Sequence, residues 1–150
     1  MRTIKFRGKV KGTCDWVYGS LLVYGDGEYN IHVPRKHNYK LDAWNVTPET
    51  VGQCTGLKDG KGNEIYEGDI VMTYVVFTNE DEEQREFWRV GEIRFIGGGF
   101  SLTNCTNYDD CRMEEKSDIQ PSPKSKFSFP KYRSEVIGNI FDNPILIKNI

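Results

Sequence analysis

Hydrophobic and polar side chains alternate along residues 4–10, and this period of two predicts a strand with one buried face. Ile4, Phe6 and Val10 fall on the apolar face. The opposite face is cationic and carries what we call the basic row, which consists of Lys5, Arg7, Lys9 and Lys11. We therefore expect a half-buried first strand with a basic outer face.

Two more apolar runs follow at residues 16–24 and 28–33, with a tight turn predicted at Gly25-Asp26-Gly27 between them. Residues 1–33 are therefore predicted to form an antiparallel meander. A single helical turn is expected next, because Thr47 can cap free N–H groups and Pro48 suits the first helical position. Gly52 follows closely and should end that turn.

The middle of the chain, residues 55–71, is rich in turn chemistry. Asp59-Gly60 and Gly62-Asn63 form one turn region, since Gly tolerates positive φ and Asp or Asn can bond its own backbone. Glu67-Gly68-Asp69 forms a second turn, which starts a predicted strand at 70–78. The remaining pattern predicts an acidic loop at 79–86, strands at 87–96, 100–103 and 135–141, a long loop at 104–126, and an edge strand at 127–132.

These elements predict a mainly β protein. We expect an N-terminal antiparallel meander packed beside a small, partly open SH3-like barrel, with one short helical turn. The barrel would use residues 55–104 and 127–141. The 150 residues fit a single domain, with 1–54 and 55–150 as its subdomains.

Several segments of the chain resemble the signature of the phage and prophage YopX family. The central segments are 48–52, 56–59 and 65–69, with flanking matches at 4–8 and 135–144. The signature turn contains Gly56, Leu57, Asp59, Tyr66, Glu67, Gly68 and Asp69. The resemblance implies a phage or prophage accessory protein. It implies little about activity, because the family is functionally uncharacterised and offers no catalytic residues to carry over.

Composition and charge indicate the cellular compartment and the kinds of partner that we expect. The chain has no apolar run long enough for a membrane span and no signal-peptide core at its start, so we expect a protein of the bacterial host's cytoplasm without membrane contact. The net charge of −2 is unevenly placed, with +5 on residues 1–40, −10 on 41–118 and +3 on 119–150. Such segregation indicates either pairing between subunits or a patch that faces a polyanion.

No group of residues predicts catalysis or a bound cofactor. Cys14, Cys54, Cys105 and Cys111 lack zinc spacing, so free thiols are expected, with a zinc or redox pair of Cys105 and Cys111 as the alternative.

A calcium loop starting at Asp59 would need different residues at Lys61, Glu64 and Ile70. The carboxylates of Glu64, Glu67 and Asp69 could cluster, but no histidine lies near them in the sequence. We therefore predict a non-enzyme without metal or cofactor.

The basic row is the best functional candidate that the sequence offers. Four cations at two-residue spacing can follow phosphates, they can meet the acidic middle of another subunit, or they can form an ordinary solvated face. We expect a protein that acts by binding, to another protein or to itself as a homo-oligomer. The alternative is a nucleic-acid-binding module that uses the basic row.

Overall fold

The computed structural model describes residues 4–34, 41–78, 84–108 and 134–148. The chain divides into two compact units, one of residues 1–57 and 64–67, the other of residues 58–63 and 68–150. Ten strands and two short helices lie in the described residues. The strands are β1 Phe6–Lys9, β2 Trp16–Val23, β3 Tyr29–Pro34, β4 Leu41–Asn45, β5 Gly52–Lys58, β6 Glu64–Tyr66, β7 Asp69–Thr78, β8 Gln84–Ile96, β9 Gly99–Tyr108 and β10 Ser134–Asn139. The helices are a 3₁₀ turn at Pro48–Thr50 and α1 at Ile145–Lys148.

The first unit contains a six-stranded sheet with the order β4-β3-β2-β1-β5-β6. Strands β1 to β4 pair antiparallel in sequence order, as a meander does, and β5 pairs with the free side of β1. The register places Arg7 opposite Tyr18 and Lys9 opposite Trp16. Because directly opposed residues share a face, the cations of β1 and the aromatic rings of β2 lie on the same side of the sheet.

The opposite face of this sheet supplies the core of the first unit. Ile31, Val46 and Ile65 are fully buried or nearly so. Each such side chain contributes about 1.5–3 kcal/mol when it is removed from water. Gly8 allows close packing, because a Cβ at this position would lie 3.1 Å from Val46 and 3.2 Å from Ile31. Glycine in β1 therefore lets two core side chains approach the strand backbone.

The second unit contains a four-stranded antiparallel sheet with the order β10-β7-β8-β9. Ile70 and Val71 are consecutive and both fully buried, so the central strand β7 is covered on both faces at this point. The pairing of β8 with β9 shifts between Val90 and Glu92, where Asn104 adopts a φ of 50°. The extra residue of this bulge lies in β9, the edge strand of the sheet.

The mainly β fold, the N-terminal meander and the short helical turn at Pro48 are confirmed. The strands form open sheets rather than a closed barrel, and the likeness to an SH3 barrel is not confirmed. Strands β5 and β6 join the first sheet, although the sequence placed them in the barrel. Pairing of β5 with the free side of β1 accounts for this difference.

Several predicted boundaries also differ. Strand β9 continues to Tyr108 because it pairs with β8 across the bulge, so residues 104–108 are not part of a loop. The helix α1 was not predicted. The remainder of the predicted acidic loop, the rest of the long loop and the predicted edge strand at 127–132 lie outside the described residues. Neither described helix has the length and apolar character that a membrane crossing requires.

Candidate functional site

Arg7 is the centre of the basic row and is buried, with 6% of its surface exposed. Its guanidinium carbon lies 4.8 Å from the ring centroid of Trp16 and 5.1 Å from that of Tyr66. Its Nη2 also donates a hydrogen bond of 3.1 Å to the backbone carbonyl of Glu67. A planar guanidinium can contact two rings while its N–H groups remain available to an acceptor. The basic outer face that the sequence predicted is therefore not open to solvent at Arg7.

Lys5 is engaged by a carboxylate and a ring. Its Nζ lies 2.6 Å from Glu64 Oε2 and 5.7 Å from the ring centroid of Tyr18. The same oxygen of Glu64 accepts a hydrogen bond of 2.6 Å from the Tyr66 hydroxyl. Lys5 therefore already has an anionic partner within its own unit.

Tyr66 connects these contacts. Its ring is buried, contacts Arg7, and lies edge-on to Tyr18 at 5.5 Å between centroids. Burial, and then the hydrogen bond and negative charge of Glu64, raise the pKa of Tyr66 well above the ordinary value of 10.0. The tyrosine is therefore a neutral donor throughout the physiological pH range.

The last two cations of the basic row are more accessible. Lys9 Nζ lies 5.6 Å from the ring centroid of Trp16, and Lys9 is half-buried. Lys11 follows the strand and is exposed. We name the whole arrangement the cation–aromatic face, defined by Lys5, Arg7, Lys9, Trp16, Tyr18 and Tyr66. Within it the positive charges alternate with rings.

The signature turn is built around Asp59, which is 4% exposed. Its Oδ1 accepts the backbone N–H groups of Lys61 at 2.9 Å and Asn63 at 2.8 Å. Its Oδ2 accepts the Asn63 side-chain amide at 3.0 Å and the backbone N–H of Val136 at 3.2 Å. Burial alone would raise the pKa of Asp59, but these four hydrogen bonds outweigh it and lower the pKa. Asp59 thus closes the turn and fastens it to β10.

The glycines of the signature turn satisfy a backbone requirement. Gly62 and Gly68 have φ values of 89° and 81°, which favour glycine. A Cβ on Gly68 would also lie 3.3 Å from the Phe141 ring, whereas a Cβ on Gly62 would meet open space. Gly56 has a φ of 80°, Leu57 is exposed and Asp69 is buried. These observations give the signature a structural role in the turns.

Two of the carboxylates considered for chemistry, those of Asp59 and Glu64, have other roles in the structure. Both oxygens of Asp59 accept N–H donors, and Glu64 accepts Lys5 and Tyr66, so these groups are committed to hydrogen bonds. Within residues 4–34, 41–78, 84–108 and 134–148, no three potential metal ligands come together. The absence of an enzyme activity stays a prediction.

The sequence placed the basic row on one face, but it did not place the rings of Trp16 and Tyr66 against it. Trp16 and Tyr18 repeat at the same two-residue spacing as the cations and follow them across one turn. In two paired strands, this matching spacing predicts that the rings and the cations lie on the same face of the sheet. Tyr66 had no such signal, because its strand is separated from β1 by more than fifty residues.

Comparison with known proteins places this chain in a family. A family model described as YopX protein matches residues 5–148. No curated protein gives a significant match. The crystal structure of protein EF1440 from Enterococcus faecalis is similar, with 18% sequence identity, a TM-score of 0.52, and coverage of 99% of this chain and 100% of that chain. Such a low identity shows a shared fold alone. The chain belongs to the YopX family.

Proposed function

We propose that this protein acts by binding another protein chain rather than by catalysis, and that its partner is a second copy of itself. The carrying observation is a set of exposed apolar side chains along one face of β2 and its continuation. We name it the β2 surface, and it consists of Tyr18, Leu22 and Tyr24, which are 41%, 46% and 41% exposed. Neighbouring apolar side chains at this exposure are typical of interaction sites.

The cation–aromatic face supports the β2 surface from the same side of the sheet. Tyr18 belongs to both, because its ring contacts Tyr66 while 41% of the residue remains exposed. A tyrosine held by a buried neighbour loses little side-chain entropy on binding, and such rigid aromatic anchors often dominate interface energies. The surface is thus partly ordered before a partner arrives.

The choice of a second copy as partner rests on charge. Residues 1–40 carry +5 and residues 41–118 carry −10. Opposite charges on different segments of one chain can attract between two copies, which raises the rate and specificity of association. Lys11, the exposed last cation of the basic row, is suited to meet the acidic segment of a second copy.

Static and dynamic light scattering over a range of protein concentrations tests self-association. The informative variant is Leu22→Glu, which places a charge in the β2 surface. Leu57→Glu is the matched control, because Leu57 is similarly exposed at 44% and lies outside that surface. We expect a concentration-dependent oligomer in the wild type and in Leu57→Glu, and a monomer in Leu22→Glu. A wild type that stays monomeric, or equal association by both variants, contradicts the proposal.

Nucleic-acid binding is the second candidate, and the alternation of cations with rings favours it. Lys5, Lys9 and the rings of Trp16 and Tyr18 resemble the combination of charges and stacking platforms that binds single strands. Two observations weaken the case for nucleic-acid binding. Lys5 already pairs with Glu64, and Arg7 is buried. A phosphate would have to displace the carboxylate to use Lys5.

A further inference from the structure

Three polar side chains form part of a row across the sheet of the second unit, and the register continues this row to Asn107 of β9. The register pairs Ser134 of β10 with Thr73 of β7, and Thr73 with Arg89 of β8. Directly opposed residues of antiparallel strands point to the same face, with Cβ atoms about 4.5–5.5 Å apart. The hydroxyl groups of Ser134 and Thr73 and the side chain of Arg89 therefore lie next to each other on one face of the sheet.

All three side chains keep a buried polar atom without a hydrogen-bond partner. Thr73 is 2% exposed and Ser134 is 4% exposed. In this row, the buried atoms for which the described part of the chain offers no partner are Thr73 Oγ1, Ser134 Oγ and Arg89 Nε. Buried polar groups are nearly always hydrogen-bonded, so three adjacent exceptions indicate a missing partner. That partner must accept a hydrogen bond from the Nε–H of Arg89, which has no acceptor capacity.

Among the described side chains, the surroundings of the row provide no anion. The described residues two positions along each strand, on the same face, are Val71, Phe87, Gly91 and Val136, none of which carries charge. The guanidinium of Arg89 lies 5.4 Å from the ring centroid of Phe87. No carboxylate forms an ion pair with Arg89 among the described residues. This half-buried arginine therefore has no counter-ion among the residues that the structure describes.

The nearest thiol does not fill that role. Cys105 is exposed as a residue, but its Sγ lies against β8, where a Cβ on Gly91 would be 2.9 Å from it. Burial raises the pKa of the Cys105 thiol, although Arg89 acts in the opposite direction. The thiol is therefore neutral near pH 7.

We propose that Ser134, Thr73 and Arg89 form a binding site for a small oxyanion, such as the phosphate group of a ligand. The Nε–H of Arg89 and the two hydroxyls are the donors, and the guanidinium supplies the charge that a buried anion requires. The site lies within the second unit and does not depend on the proposed self-association through the first.

Thermal unfolding tests this site with inorganic phosphate as the probe. The wild-type protein is compared in sodium phosphate and in sodium chloride at equal pH and ionic strength, over a phosphate titration. We expect Tm to rise with phosphate concentration, because a ligand that binds only the folded state stabilises it. Parallel titrations with sulfate and with acetate show which class of anion the site prefers. Sulfate represents a tetrahedral oxyanion, and acetate represents a carboxylate.

Thr73→Val is the main variant, because it keeps the side-chain shape and removes the hydroxyl. We expect it to weaken phosphate binding by about tenfold or more, since a hydrogen bond to a charged group is lost. Arg89→Gln should abolish binding. Arg94→Gln is the matched control, because it removes the same charge from the opposite face of β8 and should bind phosphate as the wild type does.

Three results would overturn the site. One is a wild-type Tm that is equal in phosphate, sulfate, acetate and chloride. Another is a phosphate response that survives in both Thr73→Val and Arg89→Gln, which would mean an adventitious ion only. If buried water satisfies the row, Thr73→Val should change Tm by the same amount in every salt, and this too contradicts the proposal.

Discussion

Replacing Arg7 by lysine keeps the positive charge and removes the planar guanidinium. An ammonium cannot lie flat between Trp16 and Tyr66, so most of both ring contacts is lost, each worth about 0.5–2 kcal/mol. The shorter side chain also reaches the Glu67 carbonyl poorly, which weakens a hydrogen bond worth about 1.5–3 kcal/mol when intact. We expect Arg7→Lys to destabilise the protein by about 2–3 kcal/mol.

Urea unfolding followed by tryptophan fluorescence measures this change, since Trp16 lies against the substituted group. In thermal unfolding the same change should lower Tm by roughly 5–10 °C for a chain of this size. Lys11→Gln is the control, because it removes an exposed cation and should cost less than about 0.5 kcal/mol. If Arg7→Lys is as stable as the wild type, or if both variants cost the same, Arg7 does not hold the cation–aromatic face together.

Three further predictions concern the turns and the buried tyrosine. Asp59→Asn should cost about 1–2 kcal/mol at neutral pH, because an amide nitrogen cannot accept an N–H. The pKa of Asp59 is lowered on folding, so its contribution is present above the unfolded value of 3.8 and is lost as pH falls through the folded value. Urea titrations should therefore show the variant and wild type converging below pH 3.8. Gly68→Ala should cost more than Gly62→Ala, since both have positive φ but only Gly68 meets a ring, and thermal unfolding compares them. Tyr66→Phe should resist alkaline unfolding better than the wild type, as followed by circular dichroism.

The raised pKa of Tyr66 explains why Tyr66→Phe should resist alkaline unfolding better than the wild type. A folded pKa above the unfolded 10.0 stabilises the protein below pH 10.0, and this contribution is lost as pH rises towards the folded value. Phenylalanine has no such proton to lose. Equal alkaline midpoints for both proteins contradict the burial of the hydroxyl. A parallel pH dependence of Asp59→Asn and wild type, or equal costs at Gly62 and Gly68, contradicts the corresponding turn geometry.

The strands with clear alternation were predictable from sequence, because the period of two is a local property. The strand at residues 4–10 and the two runs after it illustrate this, and all three lie in the first sheet. The turns at Asp59 and Gly68 were predictable for the same reason, since their chemistry acts over a few residues.

Long-range pairing was not predictable in the same way. The alternation of β1 shows that Arg7 lies opposite the apolar face, but its burial depends on Tyr66, which is brought close only when β5 and β6 pair. The extension of β9 to Tyr108 likewise depends on a bulge at Asn104, where polar residues give no local strand signal. The polar row of Ser134, Thr73 and Arg89 exists only in the register of three strands.

The central claim is that Lys5 and Arg7 of the basic row are held by aromatic rings, a carboxylate and a backbone carbonyl of their own unit, and that the chain binds protein through the β2 surface. Light scattering after size exclusion, at low and high salt, with and without a short single-stranded DNA, tests it most directly. We predict an oligomer whose mass is unchanged by DNA at either salt concentration. A monomer that gains mass with DNA at low salt, and loses it at high salt, would show cations neutralising phosphates and would contradict the account.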